Sequence, residues 1–329
     1  MAAPSAVAVL SIGDMGVGIA RLLISQGFKV VTNDTKTRAR EAGVELLDTD
    51  SELVARSAVV LSVVPPRDAT ATAQRILDAL PSKPDPARSP LYFADLNAVS
   101  PATTSEMAAL FARAPSPVRF VDGCILGGPP RQTSAADPGT NATTADDAVP
   151  SVPGWVTPSI PTSGPHPIPS IPDIGERLST ALGASHISPV VGAASGLKMC
   201  FASLSKGFTA LAVESFTTAH RLGVLPHLRA ELASRLPQHA QLAERSVVTM
   251  PPKAYRWVRE MEEISATHRE DGGFADEAMF RGAAGIYRTI AEDTVLGDEK
   301  IGKRKRGTTL EDLAAAVSEG LDKKRKKTE

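Results

Sequence analysis

Residues whose types and spacing could do chemistry fall in three places along the 329-residue chain. The first is Ser11-Ile12-Gly13-Asp14-Met15-Gly16, a glycine-bearing turn between an apolar run and a helical one. Such a turn lets backbone approach a pyrophosphate closely, while the helix behind it supplies N–H donors and the positive end of its dipole. The second is Asp34, followed at once by Lys36 and Arg38. An acidic residue there binds a ribose 2′-hydroxyl and favours NAD; two cations there meet a 2′-phosphate and favour NADP. Two cations against one anion incline the reading to NADP, with NAD still open. The third is Lys198, just after Gly192-Ala193-Ala194-Ser195-Gly196. A positioned lysine can take or return a hydroxyl proton. Most lysines are simply solvated, so its weight depends on its surroundings.

The elements that must position these groups alternate. Ala6 to Leu10, Phe28 to Thr32, Ala58 to Val64, Leu91 to Ala94 and Val118 to Val121 read as strands, with Val44 to Leu47 as a short one. Helical patterns follow the glycine turn and recur at Thr37 to Ala42, Asp68 to Leu80 and Pro101 to Ala112. Ala58 to Val64 is apolar throughout, as in a strand buried on both faces, and Pro65-Pro66 ends it. Strands alternating with helices give a parallel sheet wrapped on both faces, with ligands beyond the strands' carboxyl ends. There lie Val64-Pro65, then Asp95 to Pro101 with Asn97, and Asp122 to Gly128 with Gly127-Gly128. Ser11 stands where G-x-G-x-x-G has its first glycine.

From about Ala194 helix follows helix. Leu197, Phe201, Leu204, Phe208 and Leu211 form one stripe of a long helix to about Leu222, a pattern for core or dimer contact. Residues 131–152 hold almost no large apolar residue and read as a disordered insert. Two basic runs, Lys303 to Arg306 and Lys323 to Lys327, read as a solvated tail, with nuclear import as the alternative. Leu310 to Leu321 between them has the pattern of a short amphipathic helix.

The expected architecture is α/β: a doubly wound Rossmann-type parallel sheet over 1–191, then an all-α domain over 192–297 and a basic tail over 298–329. Hydrophobic content of 42% and a net charge of −1 exclude a wholesale binder of nucleic acid or membranes. Two cysteines and six histidines give neither a disulfide framework nor metal-ligand spacing. No basic-then-apolar leader or long apolar span is visible, so the expected location is cytoplasmic.

These residues resemble a known family. Ile12 to Asp34, with its Gly-x-Met-Gly turn and Gly27 before the second strand, is similar to the opening of the β-hydroxyacid dehydrogenase superfamily. That superfamily includes the 3-hydroxyisobutyrate and 6-phosphogluconate dehydrogenases. Gly192 to Gly207, Tyr255 to Ile264 and Phe280 to Ala284 resemble a less characterised branch of it. The resemblance implies an NAD(P)-dependent oxidoreductase acting on a hydroxyl-bearing carbon of a small, sugar-acid-like substrate. Lys198 would be its catalytic lysine. Ser11, Gly13, Asp14, Met15, Gly16, Asp34, Lys36, Arg38, Val64, Pro65 and Asn97 would meet the cofactor. Asn97, Gly127, Gly128 and Lys206 would meet the substrate. Independently of the resemblance, the long apolar stripe predicts a homodimer through the helical domain.

The chain departs from the family at three positions. Asn97 replaces a serine, Leu126 replaces the serine before the two glycines, and Ala202 stands where asparagine is usual. The lost polar groups keep an imine or ketone reductase open as an alternative. A cofactor-binding regulatory protein without turnover is another.

Overall fold

The computed structural model describes residues 5–34, 36–83, 85–86, 88–133 and 152–328. They form two compact units, Met1–Lys198 and Met199–Glu329.

The first unit runs β1 (Ala6–Leu10), α1 (Asp14–Ser25), β2 (Val30–Thr32), α2 (Lys36–Ala42), β3 (Glu45–Leu46), α3 (Asp50–Arg56), β4 (Ser57–Ser62) and α4 (Ala69–Asp78). It continues through β5 (Leu91–Asp95), α5 (Pro101–Ala112), β6 (Val118–Gly123), β7 (Arg131–Gln132), β8 (Trp155–Val156), β9 (Ile160–Ser163), α6 (Gly175–Leu182), β10 (Ala184–Ser188) and α7 (Ala193–Ala202). The main sheet has the order β10-β9-β6-β5-β4-β1-β2-β3. All its neighbours pair parallel except β6 with β9. The strand order reverses between β1 and β4, the switch point where such sheets open a crevice.

Strand residues alternate between two cores, as a period of two requires. Val7, Val9, Val59, Leu61, Tyr92 and Ala94 pack in one layer. Ala6, Ala8, Leu10, Val60, Leu91 and Phe93 pack in the other. Both faces are covered by helices, so the doubly wound sheet expected from sequence is present.

The second unit is all helical among its described residues: α8 (Phe208–Arg221), α9 (Leu225–Arg235), α10 (Pro237–Thr249), α11 (Ala254–Glu270), α12 (Met279–Arg288) and α13 (Leu310–Thr328). Between α7 and α8, Ser203–Gly207 form one π-helical turn, so the long helix expected to Leu222 is continuous but locally widened. Trp257 meets Tyr287 edge-on, with ring centroids 5.2 Å apart, inside the core of this unit.

Four expectations need correction. The division falls after Lys198, not near Val191, because the start of α7 is hydrogen-bonded into the sheet unit. The insert begins later than residue 131: Arg131 and Gln132 pair antiparallel with Val156 and Trp155. At its other end Val152 is buried with Leu22 and Trp155; residues 134–151 lie outside the described residues. The basic tail is folded, since Leu310, Leu313, Ala314 and Val317 of α13 are buried. In the first basic run, Arg304 donates to the carbonyls of Val248 and Gly307, and Arg306 pairs with Asp312 at 2.8 Å. Finally, the apolar stripe is not this chain's core: Leu197, Phe201, Leu204 and Leu211 are exposed.

Candidate functional site

One row of residues crosses the carboxyl edge of the sheet. Leu10, Ser62, Asp95, Asp122 and Ser163 sit opposite one another on successive strands β1, β4, β5, β6 and β9. At a strand spacing of ~4.8 Å, Leu10 and Asp122 stand roughly 14 Å apart. The turns singled out from sequence leave the sheet directly after this row.

After Leu10, Ser11 takes a left-handed backbone, φ 68°. This is why glycine is usual there, and Ser11 adopts the same conformation. Gly16 is needed for a different reason: a Cβ on it would lie 1.9 Å from the Ser11 carbonyl oxygen. Gly13 precedes α1 and makes no side-chain cap to it. Asp14 and Met15 open the helix, so its first N–H groups face the turn as an anion-binding helix start does.

Asp34 is tied to this turn: its Oδ2 accepts the Ile12 N–H at 2.7 Å. Arg38, on α2, donates from Nη1 to the Ile12 carbonyl at 3.3 Å. Carboxylate and guanidinium therefore hold the two peptides on either side of Ile12 in the glycine turn. Lys36 opens α2.

After Ser62, Val64 and Pro65 form the turn that ends β4. The Val64 N–H donates to Asn97 Oδ1 at 2.7 Å. Asn97 Nδ2 donates to Ser62 Oγ at 2.9 Å and to Asp95 Oδ1 at 2.5 Å. Asn97 is buried, with both amide protons committed. Asn97, expected to meet cofactor and substrate, braces the Val64-Pro65 turn against β5.

After Asp122, Leu126 exchanges both backbone hydrogen bonds with Ser159. Gly127 follows with φ 125°, where a side chain would be strained, and Gly128 has open space around it. Lys198 reaches this same loop, donating from Nζ to the Ile125 carbonyl at 2.6 Å. Cys124, just beneath, has its thiol pushed up to about 12 by burial, against the pull of Lys198.

Lys206 belongs to the other unit, where it pairs with buried Glu260 and lies over the Trp257 ring at 5.2 Å. The ammonium expected to meet substrate thus has a buried carboxylate as its partner.

Sequence reasoning gave no role to Asp95. It is fully buried opposite Asp122, and its Oδ2 has no hydrogen-bond partner. Burial pushes its carboxyl up to about 7; the charge of Asp122 adds to the rise, while bonds from Asn97 oppose it. An acidic residue closing each of two neighbouring strands was the available signal.

Residues 6–84 match the family described as NADP oxidoreductase, coenzyme F420-dependent. Residues 219–290 match a domain of unknown function, DUF1932. Comparison with curated proteins returns no significant match. Among solved structures, Mycobacterium tuberculosis 3-hydroxyisobutyrate dehydrogenase with L-serine is similar at TM-score 0.59 and 18% identity, over 95% of this chain and 98% of that one. A conserved protein described as structurally similar to 3-hydroxyacid dehydrogenases gives TM-score 0.53 and 23% identity, over 87% and 96%. Psf3 in complex with NADP+ and 2-OPP gives TM-score 0.59 and 15% identity, over 93% and 99%. The fold is that of the β-hydroxyacid dehydrogenases. Within that fold, the glycine turn, the Val64-Pro65 turn and the Gly127-Gly128 loop share one sheet edge.

Proposed function

We propose that the chain is an NAD(P)-dependent oxidoreductase exchanging a hydride with a hydroxyl-bearing carbon of a small, sugar-acid-like substrate. Lys198 is its general acid and base. One observation carries this: the Lys198 ammonium is held at the Ile125–Gly128 loop, on the same sheet edge as the glycine turn.

The chain's own residues fit a dinucleotide. The uncapped start of α1 and the side-chain-free Gly16 suit a pyrophosphate. The cofactor supplies a hydride acceptor or donor when bound. Arg38, exposed beside the turn, suits a 2′-phosphate, while the Asp34 carboxylate is engaged by the Ile12 N–H. NADP is therefore the preferred form, and tighter binding of NADPH than NADH in titration calorimetry tests it. Lys198 then takes the hydroxyl proton as a carbonyl forms, or returns it in reduction. The exposed Gly127-Gly128 backbone is left to hold the substrate.

Leu126 favours a second reading. An apolar side chain replaces a hydroxyl on this loop, which suits a ketone or imine better than a carboxylate. Oxidation of NADPH against ketones and imines, beside reduction of NADP by sugar acids, separates the two. No turnover with any of them, despite cofactor binding, would favour a regulatory protein.

Lys198→Met keeps the bulk and removes the proton. Turnover should fall roughly 100-fold or more with cofactor affinity kept, the usual scale of general acid–base catalysis. Turnover within a few-fold of wild type would place the chemistry elsewhere.

A further inference from the structure

A helix start takes its cap from the residue just before it, but Gly192, ahead of α7, has no side chain. The cap comes from 70 residues earlier in sequence. Asp122, fully buried at the end of β6, accepts the N–H groups of Gly192, Ala194 and Ser195 at 2.8, 3.1 and 3.3 Å. It also accepts the hydroxyls of Ser195 and Ser163, each at 2.6 Å. Three residues beyond Asp122, Ile125 offers its carbonyl to the Lys198 ammonium. One strand end therefore grips the first turn of α7 and the tip of the lysine that α7 carries.

We infer that Asp122 is a positioning residue, holding Lys198 against the Ile125–Gly128 loop through the first turn of α7. Five donors converge on one carboxylate inside a packed sheet edge. Removing it takes the acceptor from the Gly192 and Ser195 N–H groups in a buried place and leaves Ala194 only the Ser163 hydroxyl, at 3.0 Å. The first turn must then shift to find others, and the lysine, less than two helical turns on, moves with it. Thr104 adds a lateral tie, its hydroxyl lying 2.8 Å from that of Ser195. The catalytic meaning rests on the proton-transfer reading of Lys198; the positional claim does not.

The test is therefore split. Full-length protein is labelled with trinitrobenzenesulfonate, and modification of Lys198 and Lys206 is followed by peptide mass spectrometry. In Asp122→Ala, labelling of Lys198 should quicken about tenfold, the scale of a lost helix cap, with Lys206 unchanged. Asp122→Asn, which can turn its carbonyl oxygen to the three N–H groups, should restore a rate within about twofold of wild type. A merely structural role would not predict that site-selective loss and rescue. Should Asp122→Ala fail to fold, Ser195→Ala decides, since it removes the hydroxyl bonds to Asp122 and Thr104 and leaves the backbone cap. It should quicken Lys198 labelling by a smaller factor, and a wild-type rate would overturn the inference. So would unchanged labelling in folded Asp122→Ala. Wild-type turnover in Lys198→Met overturns only the catalytic reading and leaves the labelling result standing.

Discussion

A carboxyl group that titrates near 7 inside a sheet makes stability depend on pH. Asp95 moves from 3.8 to about 7 through burial beside Asp122. Between those values the folded chain keeps a proton that the unfolded chain has lost. This contribution is fully present below 3.8, falls as pH rises, and is gone above about 7. Asp95→Asn mimics the protonated form at every pH. Its melting temperature relative to wild type should therefore climb from pH 5 to pH 7 and then level off. A difference that stays constant across that range would show that Asp95 does not titrate there. Lys206 makes a contrasting residue-scale prediction. Lys206→Met removes the cation paired with Glu260, which is only 3% exposed, and should cost roughly 3 kcal/mol in chemical denaturation. Its effect on turnover of the surviving folded protein should be far smaller than that of Lys198→Met. Neither role was legible in sequence. Residue type shows what Asn97 and Lys206 can bond, not that the fold brings the Val64 N–H and Glu260 to them.

At the scale of elements, the legible parts were those with a clear period. Val7 to Leu10, Ala58 to Ser62 and Leu91 to Ala94 are β-branched or apolar runs bounded by turns, and each is a strand of the sheet. The antiparallel setting of β9 against β6 was not legible, because alternation gives a strand's faces but not its direction. α3 was missed altogether: seven residues are too few for periodicity, although Thr49 caps it through the Glu52 N–H at 3.1 Å. The folded tail was hidden by its charges. Leu310, Leu313, Ala314 and Val317 have helical spacing, but the basic runs on either side read more loudly than that short stripe. The insert shows the reverse error, composition hiding one packed residue. Val152, 3% exposed, packs against Leu22 and Trp155 at the end of the 131–152 stretch that composition marks as an insert. Val152→Ala should lower stability by about 2 kcal/mol in urea unfolding. An unchanged midpoint would mean that this corner contributes nothing to the core.

At the scale of the whole molecule, the unexplained feature is apolar surface. Phe201, Leu204 and Leu211 follow one another along the helical run into α8, with Phe208 between them, in steps of three and four residues. That spacing keeps one seam along a helix, the pattern by which two helices pair. Yet among the described residues nothing covers Leu204 or Leu211. Leu204 is 82% exposed and Leu211 52%. Soluble monomers rarely leave such a continuous row in water, so a second helix of the same kind is the natural cover. A net charge of −1 sets no long-range repulsion between copies. We propose a homodimer in which this seam meets its equivalent on another copy. Light scattering at micromolar concentration should give twice the chain mass of 34.5 kDa. Leu204→Glu with Leu211→Glu should give the single mass with an unchanged far-ultraviolet spectrum, because both side chains already face solvent in the single chain. A monomeric wild type would remove the seam as an interface. A double variant that stays dimeric would place the contact on another face.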